Sequence, residues 1–178
     1  MKHADYPVTD GVVTLTPFVM NDALVLSRVD HDPEHRLRFE FPENFQPSLQ
    51  HSEGVIIRWE RERRAGVRFA YAVRDARSGD LLGGCELLPL DRNIANLSYW
   101  IAHSQRRRGI ACRAAALACR VGFEILGYLR LEVAADAYNH GSVRVAERSG
   151  FHVVGQRGGH VLYALTVDEY TASGAVSA

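Results

Sequence analysis

Residues 96–133 read NLSYWIA (96–102), HSQRRRG (103–109), IACRAAALACRVGFEILG (110–127) and YLRLEV (128–133). The first block is rich in β-formers (Leu97, Tyr99, Trp100, Ile101), and a strand is expected over Asn96 to Ala102. In the third block Ile110, Ala114, Leu117, Ala118, Val121 and Ile125 recur at helical spacing, while Arg113, Arg120 and Glu124 mark the opposite stripe. This predicts an amphipathic helix ending at Gly127. Leu129, Leu131 and Val133 then alternate with Arg130 and Glu132, the pattern of a second strand. Strand, helix and strand in this order make a βαβ unit, so the two strands are expected to be parallel with a right-handed crossover.

Outward from this unit the chain keeps a mixed α/β order, with no repeat, low-complexity segment or internal linker. Upstream, Val12 to Thr16 is a short β-rich run ended by Pro17, and Asn21 is placed to cap a helix through Val29. Asp30 to Phe45 reads as a loop. Leu49 to Arg64 reads as a helix closed by Gly66, with Arg61, Arg63 and Arg64 at its negative end. Phe69 to Arg74 and Leu81 to Leu88 form an antiparallel pair across the turn Ser78-Gly79-Asp80. Downstream, a helix from Gly141 to Ser149 stops at Gly150, and Phe151 to Gln156 pairs with Val161 to Thr166 across Gly158-Gly159. The expectation is one α/β domain over residues 1–178, with a core of about 11–170.

Composition sets the outer limits. The chain has 178 residues, 47% apolar and 24% charged, which suits a single globular domain with a real core. Lys plus Arg and Asp plus Glu both number 21, a formal charge of zero that argues against a dedicated nucleic-acid binder. Cys85, Cys112 and Cys119 are odd in number and set in apolar surroundings, as reduced thiols of a cytoplasmic protein are. The start, MKHADYPVTD, lacks an apolar signal core, and the apolar stretch from Gly109 to Leu126 is broken by Arg113, Arg120 and Glu124. Neither a signal peptide nor a membrane span is expected.

Chemistry is expected where the chain leaves a strand and opens the long helix, at Gln105 to Ala111. A helix start offers unpaired N–H groups and the positive end of the dipole, which favour phosphate. Gly109 and Ala111 keep that surface free of bulk, and Arg106, Arg107 and Arg108 add donors. No Gly-Lys-Ser/Thr follows and there is no G-x-G-x-x-G, so a Walker or dinucleotide reading is excluded.

Arg106-x-x-Gly109-x-Ala111 after Tyr99-Trp100-Ile101, then Asn139-x-x-Ser142, Ser149-Gly150-Phe151 and Tyr163-Ala164-Leu165 before Glu169-Tyr170, resemble the GNAT superfamily of acyl-CoA-dependent N-acetyltransferases. The spacing is similar to its RimJ/RimL-like branch, over about Thr14 to Tyr170. Three departures stand out: Arg107 where the family often has glycine, Cys112 where it has Thr or Ser, and His140-Gly141 inside the Asn-to-Ser spacer. The resemblance implies a mixed, mostly antiparallel sheet flanked by helices, with a V-shaped splay between the two parallel central strands. Acetyl-CoA would lie in the splay. Its pantetheine would pair with the strand ending at Trp100, Ile101 and Ala102, and its diphosphate would sit at Arg107, Arg108, Gly109, Ile110, Ala111 and Cys112 with Arg106 beside them. Asn139 would bind the pantetheine arm or order its wall.

The reaction needs a neutral amine, N–H donors for the developing oxyanion, and a group to assist the departing thiolate. Ser142 takes the last role by its position in the family pattern, or else caps its own helix. Glu86, on a strand adjoining the cleft, and His103, just past the donor strand, are candidate bases, with a water chain as the third possibility. Direct attack is expected in preference to an acyl-cysteine. Residues 30–52 hold five acids and two arginines, a local charge of −3 suited to a cationic amine, with Phe39, Phe41 and Phe45 as apolar wall. His31 and His35 have metal-like spacing, but Pro33 is expected to break the helix this needs, so no metal is expected. Two rivals remain: a non-catalytic acyl-CoA sensor, and a nucleic-acid module built on Arg106 to Arg108 and Arg58 to Arg64. The acceptor stays open among a protein N-terminus, a free amino acid, a polyamine and an aminoglycoside. A homodimer would suit the family.

Overall fold

A computed structural model describes residues 6–174. Eight strands form one sheet: β1 (Val8–Thr9), β2 (Val13–Pro17), β3 (Phe69–Asp75), β4 (Leu81–Pro89), β5 (Ile94–Ile101), β6 (Arg130–Asp136), β7 (His152–Arg157) and β8 (His160–Thr166). The spatial order is β1-β2-β3-β4-β5-β6-β8-β7, and the central β5–β6 pair is parallel while every other pairing is antiparallel. Helices α1 (Ala23–Val29), α2 (Pro33–Arg38), α3 (Leu49–Arg64), α4 (Ile110–Arg120), α5 (His140–Arg148) and α6 (Val167–Ala172) complete the chain. Among the described residues no helix is long and apolar enough to cross a membrane.

Strand alternation sends successive side chains to opposite faces of the sheet and so divides the core in two. Tyr71 and Val73 of β3, Leu87 of β4 and Leu97 of β5 pack with Ala114, Leu117 and Ala118 of α4. On the other face Ala70 and Ala72 pack with Phe18, Ala23, Leu26 and Ile56, under α1 and α3. Ser98, Trp100 and Glu86 belong by the same alternation to the α1/α3 face, while Tyr99 and Ile101 belong to the α4 face.

The structure departs from the sequence expectations at four places. The turn before α1 is a 3-10 turn, Met20–Asp22, and the capping carboxylate is that of Asp22, which accepts from Val19 N at 2.8 Å; Asn21 makes no such cap. The expected loop after Asp30 contains α2, because Asp32 caps it (Glu34 N to Oδ1, 3.0 Å) and Pro33 is its first residue. Proline is tolerated there, where the missing N–H has no helical partner anyway. The long helix changes to a π turn over Val121–Ile125, with Leu126 N bonded to Val121 O at 2.9 Å. Gly122 faces Leu131 in this turn, where a Cβ would lie 3.0 Å from Leu131 Cδ1. The helix after β6 is capped by Asn139, whose Oδ1 accepts from Ser142 N at 3.1 Å, so Ser142 stands in the first turn and is not the cap.

Asp22 ties the two sides of the α1 face together. Its carboxylate takes a bidentate pair from Arg74 of β3 (Nη1 to Oδ1 2.9 Å, Nη2 to Oδ2 2.6 Å), with side-chain exposures of only 6% and 15%. Arg74 Nε also donates to Thr16 Oγ1 at 2.8 Å. Removing one member strands the other charge, so Asp22→Ala should cost about 3 kcal/mol. A thermal melt should show a drop of roughly 6–12 °C for a chain of this size; an unchanged Tm would mean that the pair contributes nothing.

Candidate active site

The β5–β6 ladder has three rungs, Ile94–Arg130, Ala95–Leu131 and Asn96–Glu132. Both strands run on, β5 to Ile101 and β6 to Asp136, yet they pair no further with each other. The outer edge of β5 stays on β4, with Ala102 N donating to Leu82 O at 2.9 Å. Antiparallel alternation then turns the N–H and C=O of Tyr99 and Ile101 toward the open side. A wedge with an unpaired strand edge on one wall results.

The start of α4 follows at once. Gly109 is its N-cap residue at φ 76°, ψ 0°, and a Cβ placed there would meet nothing within 4 Å. The first-turn N–H groups of Ile110, Ala111 and Cys112 have no helical acceptor. Arg107 is one of two described non-glycine residues at positive φ (61°), at the position that the resembled family often fills with glycine. Arg108 pairs with Gln105 Oε1.

Arg106 is turned to other work. Its Nε donates to Ile101 O at 3.1 Å, Nη2 to Asp32 Oδ2 at 2.8 Å, and Nη1 bonds Glu34 and lies 3.3 Å from His103 Nδ1. The guanidinium thus sits among the three metal-type ligands Asp32, Glu34 and His103. It joins the end of β5 to the start of α2. Burial works against the Asp32 charge, but the Glu34 N–H and Arg106 outweigh it and hold the carboxyl below its ordinary pKa. His103 is exposed at this surface junction and does not line the cavity described below.

On the α4 face of β5, Tyr99 reaches α5: its hydroxyl donates to Ser142 O at 3.0 Å and lies 3.1 Å from Ser142 Oγ. Burial pushes the Tyr99 hydroxyl up to about 12, against the opposing pull of the Ser142 bond, so it stays protonated at neutral pH. Asn139 Oδ1 is used by its cap, which leaves the amide nitrogen to face outward from that bond. Nothing in the spacing alone signalled the Tyr99–Ser142 contact, since 43 residues separate the two.

The opposite face of β5 floors a cavity of about 260 Å³ between α1, α2 and α3. Phe18, Phe39, Phe41, Trp59 and Trp100 supply rings, and Glu86, Ser98 and Arg68 supply polar groups. The Trp100 ring packs over Gly84 of β4, where a Cβ would fall 2.6 Å from Trp100 Nε1, while a Cβ on Gly83 would fall 2.3 Å from the Trp100 backbone oxygen and 2.8 Å from Ile101 Cδ1. Glu86 accepts from Arg68 Nη1 at 2.6 Å and from Ser98 Oγ at 3.2 Å. Burial disfavours the Arg68 charge, but Glu86 and Glu62 raise its pKa above the ordinary value. His35 is buried in the cavity wall, 5.5 Å from Trp100 between ring centroids and 3.6 Å from Asp30. Cys85 and Cys119 are buried free thiols, with Cys119 pushed up to about 12 by burial and Cys85 raised further still, while Cys112 is half-buried.

Sequence reasoning missed Arg68, His35 and Trp59 as cavity residues. For Trp59 the helical spacing His51, Val55, Trp59 on α3 was the available signal; Arg68 and His35 carry none without the tertiary fold.

Three comparisons bear on this arrangement. A family profile described as an acetyltransferase (GNAT) domain matches residues 13–152. The uncharacterized protein YkkB of Bacillus subtilis (strain 168) is 26% identical over 100 residues, 54% of this chain, and the match spans 58% of the length of that relative. Mycobacterium smegmatis RimJ in complex with CoA-disulfide superposes with a TM-score of 0.77 at 24% identity, over 95% of this chain and 93% of that one. RimL, a ribosomal-protein acetyltransferase in complex with coenzyme A, gives 0.77 at 16% identity over 92% and 98%. At these identities the solved structures speak to the fold.

Arg107 holds a left-handed conformation that glycine adopts without strain. Arg107→Gly should therefore raise stability by about 0.5–1 kcal/mol in denaturant melts. A loss of stability would show that its side chain makes contacts that outweigh the backbone cost.

Proposed function

From the premise that this chain belongs to the GNAT acetyltransferase family, we propose that it moves an acetyl group from acetyl-CoA to a primary amine by direct attack. The observation that carries the reading is the ladder that stops after Asn96–Glu132 beside a helix start with unpaired N–H groups. An unpaired strand edge suits the amides of pantetheine, and a bare helix N-terminus suits a diphosphate. The open space over Gly109 fits a group that must approach the backbone closely.

Acetyl-CoA supplies a thioester carbonyl activated toward amines. In this reading the open edge of β5 at Tyr99 and Ile101 holds the pantetheine, with Ile101 N–H available to the oxygen on which negative charge develops, while the backbone groups of Trp100 and Ala102, expected to share that role, are turned to β4. Arg107, Arg108, Gly109, Ile110, Ala111 and Cys112 form the phosphate cradle. Arg106 contributes through the loop it braces, its nitrogens being taken by Ile101, Asp32 and Glu34. Asn139 orders the far wall through its cap.

The amine enters from the cavity on the other face of β5. Glu86 is the first acceptor of its proton, and the proton passes from there to water at the cavity mouth. Arg68 and Ser98 hold this carboxylate in place, so that it also aims the nitrogen at β5. Ser142 donates to the departing thiolate, with the protonated Tyr99 hydroxyl behind it. The buried thiols of Cys85 and Cys119 disfavour an acyl-cysteine, since the thiolate is the nucleophile.

Calorimetric titration with acetyl-CoA should give one-to-one binding with preference over ATP, and Gly109→Glu should weaken it at least tenfold by crowding and repelling the diphosphate. No binding at millimolar acetyl-CoA would overturn the reading. Ser142→Ala should lower kcat at least tenfold with little change in donor affinity. Asn139→Ala, which removes the cap, should instead cost about 1 kcal/mol of stability. Equal losses of stability and turnover in Ser142→Ala would reduce Ser142 to a packing role.

A further inference from the structure

The cavity beneath β5 has properties that narrow the acceptor, an inference that rests on the acetyl-transfer reading. Its 260 Å³ is room for about nine waters. That lies below the range of drug-sized pockets, roughly 300–1,000 Å³. Five aromatic side chains line it, Phe18, Phe39, Phe41, Trp59 and Trp100.

The charge expected over residues 30–52 does not reach this cavity as a free negative field. Asp32 and Glu34 are bonded to Arg106, and Glu40 and Glu43 are exposed. Of the two acids that line the cavity, Glu86 is held by Arg68 and Ser98, and Asp30 faces His35 at 3.6 Å. A polycation needs several free carboxylates, and here Glu86 is held by Arg68 and Ser98 while burial works against the charge of Asp30. The cavity is also covered from one side by the segment after α2. Arg36 Nη2 donates to Phe45 O at 3.0 Å and its guanidinium lies 5.9 Å from the Phe45 ring centroid, while Phe41 and Phe45 pack at 4.9 Å.

We propose that the acceptor is a compact, free primary amine carrying one apolar or aromatic body. The rings bury the body, and Glu86 with Ser98 takes the amine end at the β5 floor. Aromatic faces also favour the ammonium form on entry, before the proton is lost.

The test is CoA thiol release with acetyl-CoA and four probes: 2-phenylethylamine, spermidine, kanamycin and a peptide with a free N-terminal phenylalanine. 2-Phenylethylamine should show kcat/KM at least tenfold above the other three. Val55→Trp, which fills the cavity from α3, should cut that rate at least tenfold while acetyl-CoA affinity by calorimetry stays within twofold. Phe41→Ala, which opens the covering segment, should lower the rate for 2-phenylethylamine and leave donor affinity unchanged. Preference for the peptide, spermidine or kanamycin would overturn the inference, as would rates unaffected by either substitution. If acetyl-CoA binds and none of the four amines releases CoA, the acceptor class is wrong and the donor site stands. If acetyl-CoA itself fails to bind, the transfer reading falls with it.

Discussion

The hydrogen-bonded pairing of β5 with β6 is the constraint on which the rest of the site depends. It holds for Ile94, Ala95 and Asn96 and then lapses, although both strands continue. An unpaired stretch of strand in a protein interior is costly unless another partner satisfies it. β4 takes one edge of β5 up to Ala102 N, and the Ile101 carbonyl on the other edge is met by Arg106. The open edge is therefore maintained by its neighbours, and it is this maintenance that leaves a wedge where a sheet would otherwise close. The same strand presents Tyr99 and Ile101 to one face and Ser98 and Trp100 to the other, so the wedge and the cavity meet across one backbone.

Arg106 shows how one side chain can tie the wedge to the wall of the cavity. A planar guanidinium with donors in a fork fits several acceptors at once. Here it takes Ile101 O from the wedge and Asp32 and Glu34 from the first turn of α2. Because α2 also carries His35 into the cavity wall, the loop at the helix start and that wall share a brace. The acidic residues near Asp30 consequently act as internal ligands of an arginine, and their charge is neutralised locally. Gly84 works in the opposite manner, through atoms it lacks: its missing side chain lets the Trp100 ring settle against β4 and shape the cavity floor, while Gly83 admits the close approach of the β5 backbone and Ile101.

Much of this was legible from local pattern. The stripe from Ile110 to Ile125 located α4, because a helix that buries one face against a sheet must repeat its apolar residues at helical spacing. Gly66 and Gly127, both at positive φ, ended their helices where expected. Local chemistry misled where a residue type has two uses. Proline was read as a breaker at Pro33 although it opens a helix as readily, and Ser142 was weighed as a cap when Asn139 three residues earlier holds that place. The π turn at Val121 leaves little trace in the apolar stripe because it is the last turn, with Leu126 as its cap, so almost no helix follows to show the shift in phase. The turn brings Gly122 against Leu131, a residue of the following strand.

The sequence by itself determined the order of the elements, the βαβ unit at the centre, the helix start at Gly109 and the family to which these point. Each depends on spacing within one segment or between neighbouring segments, where propensity and periodicity act directly. Only the tertiary structure decided where the β5–β6 ladder stops, which acceptors claim Arg106, that Tyr99 meets Ser142, and that Arg68 clamps Glu86. These contacts join residues from 5 to 74 positions apart in the chain. Such pairings are set by the packing of α2, α3 and α5 against the sheet, and side-chain geometry of that kind leaves no periodic trace in the residues that make it.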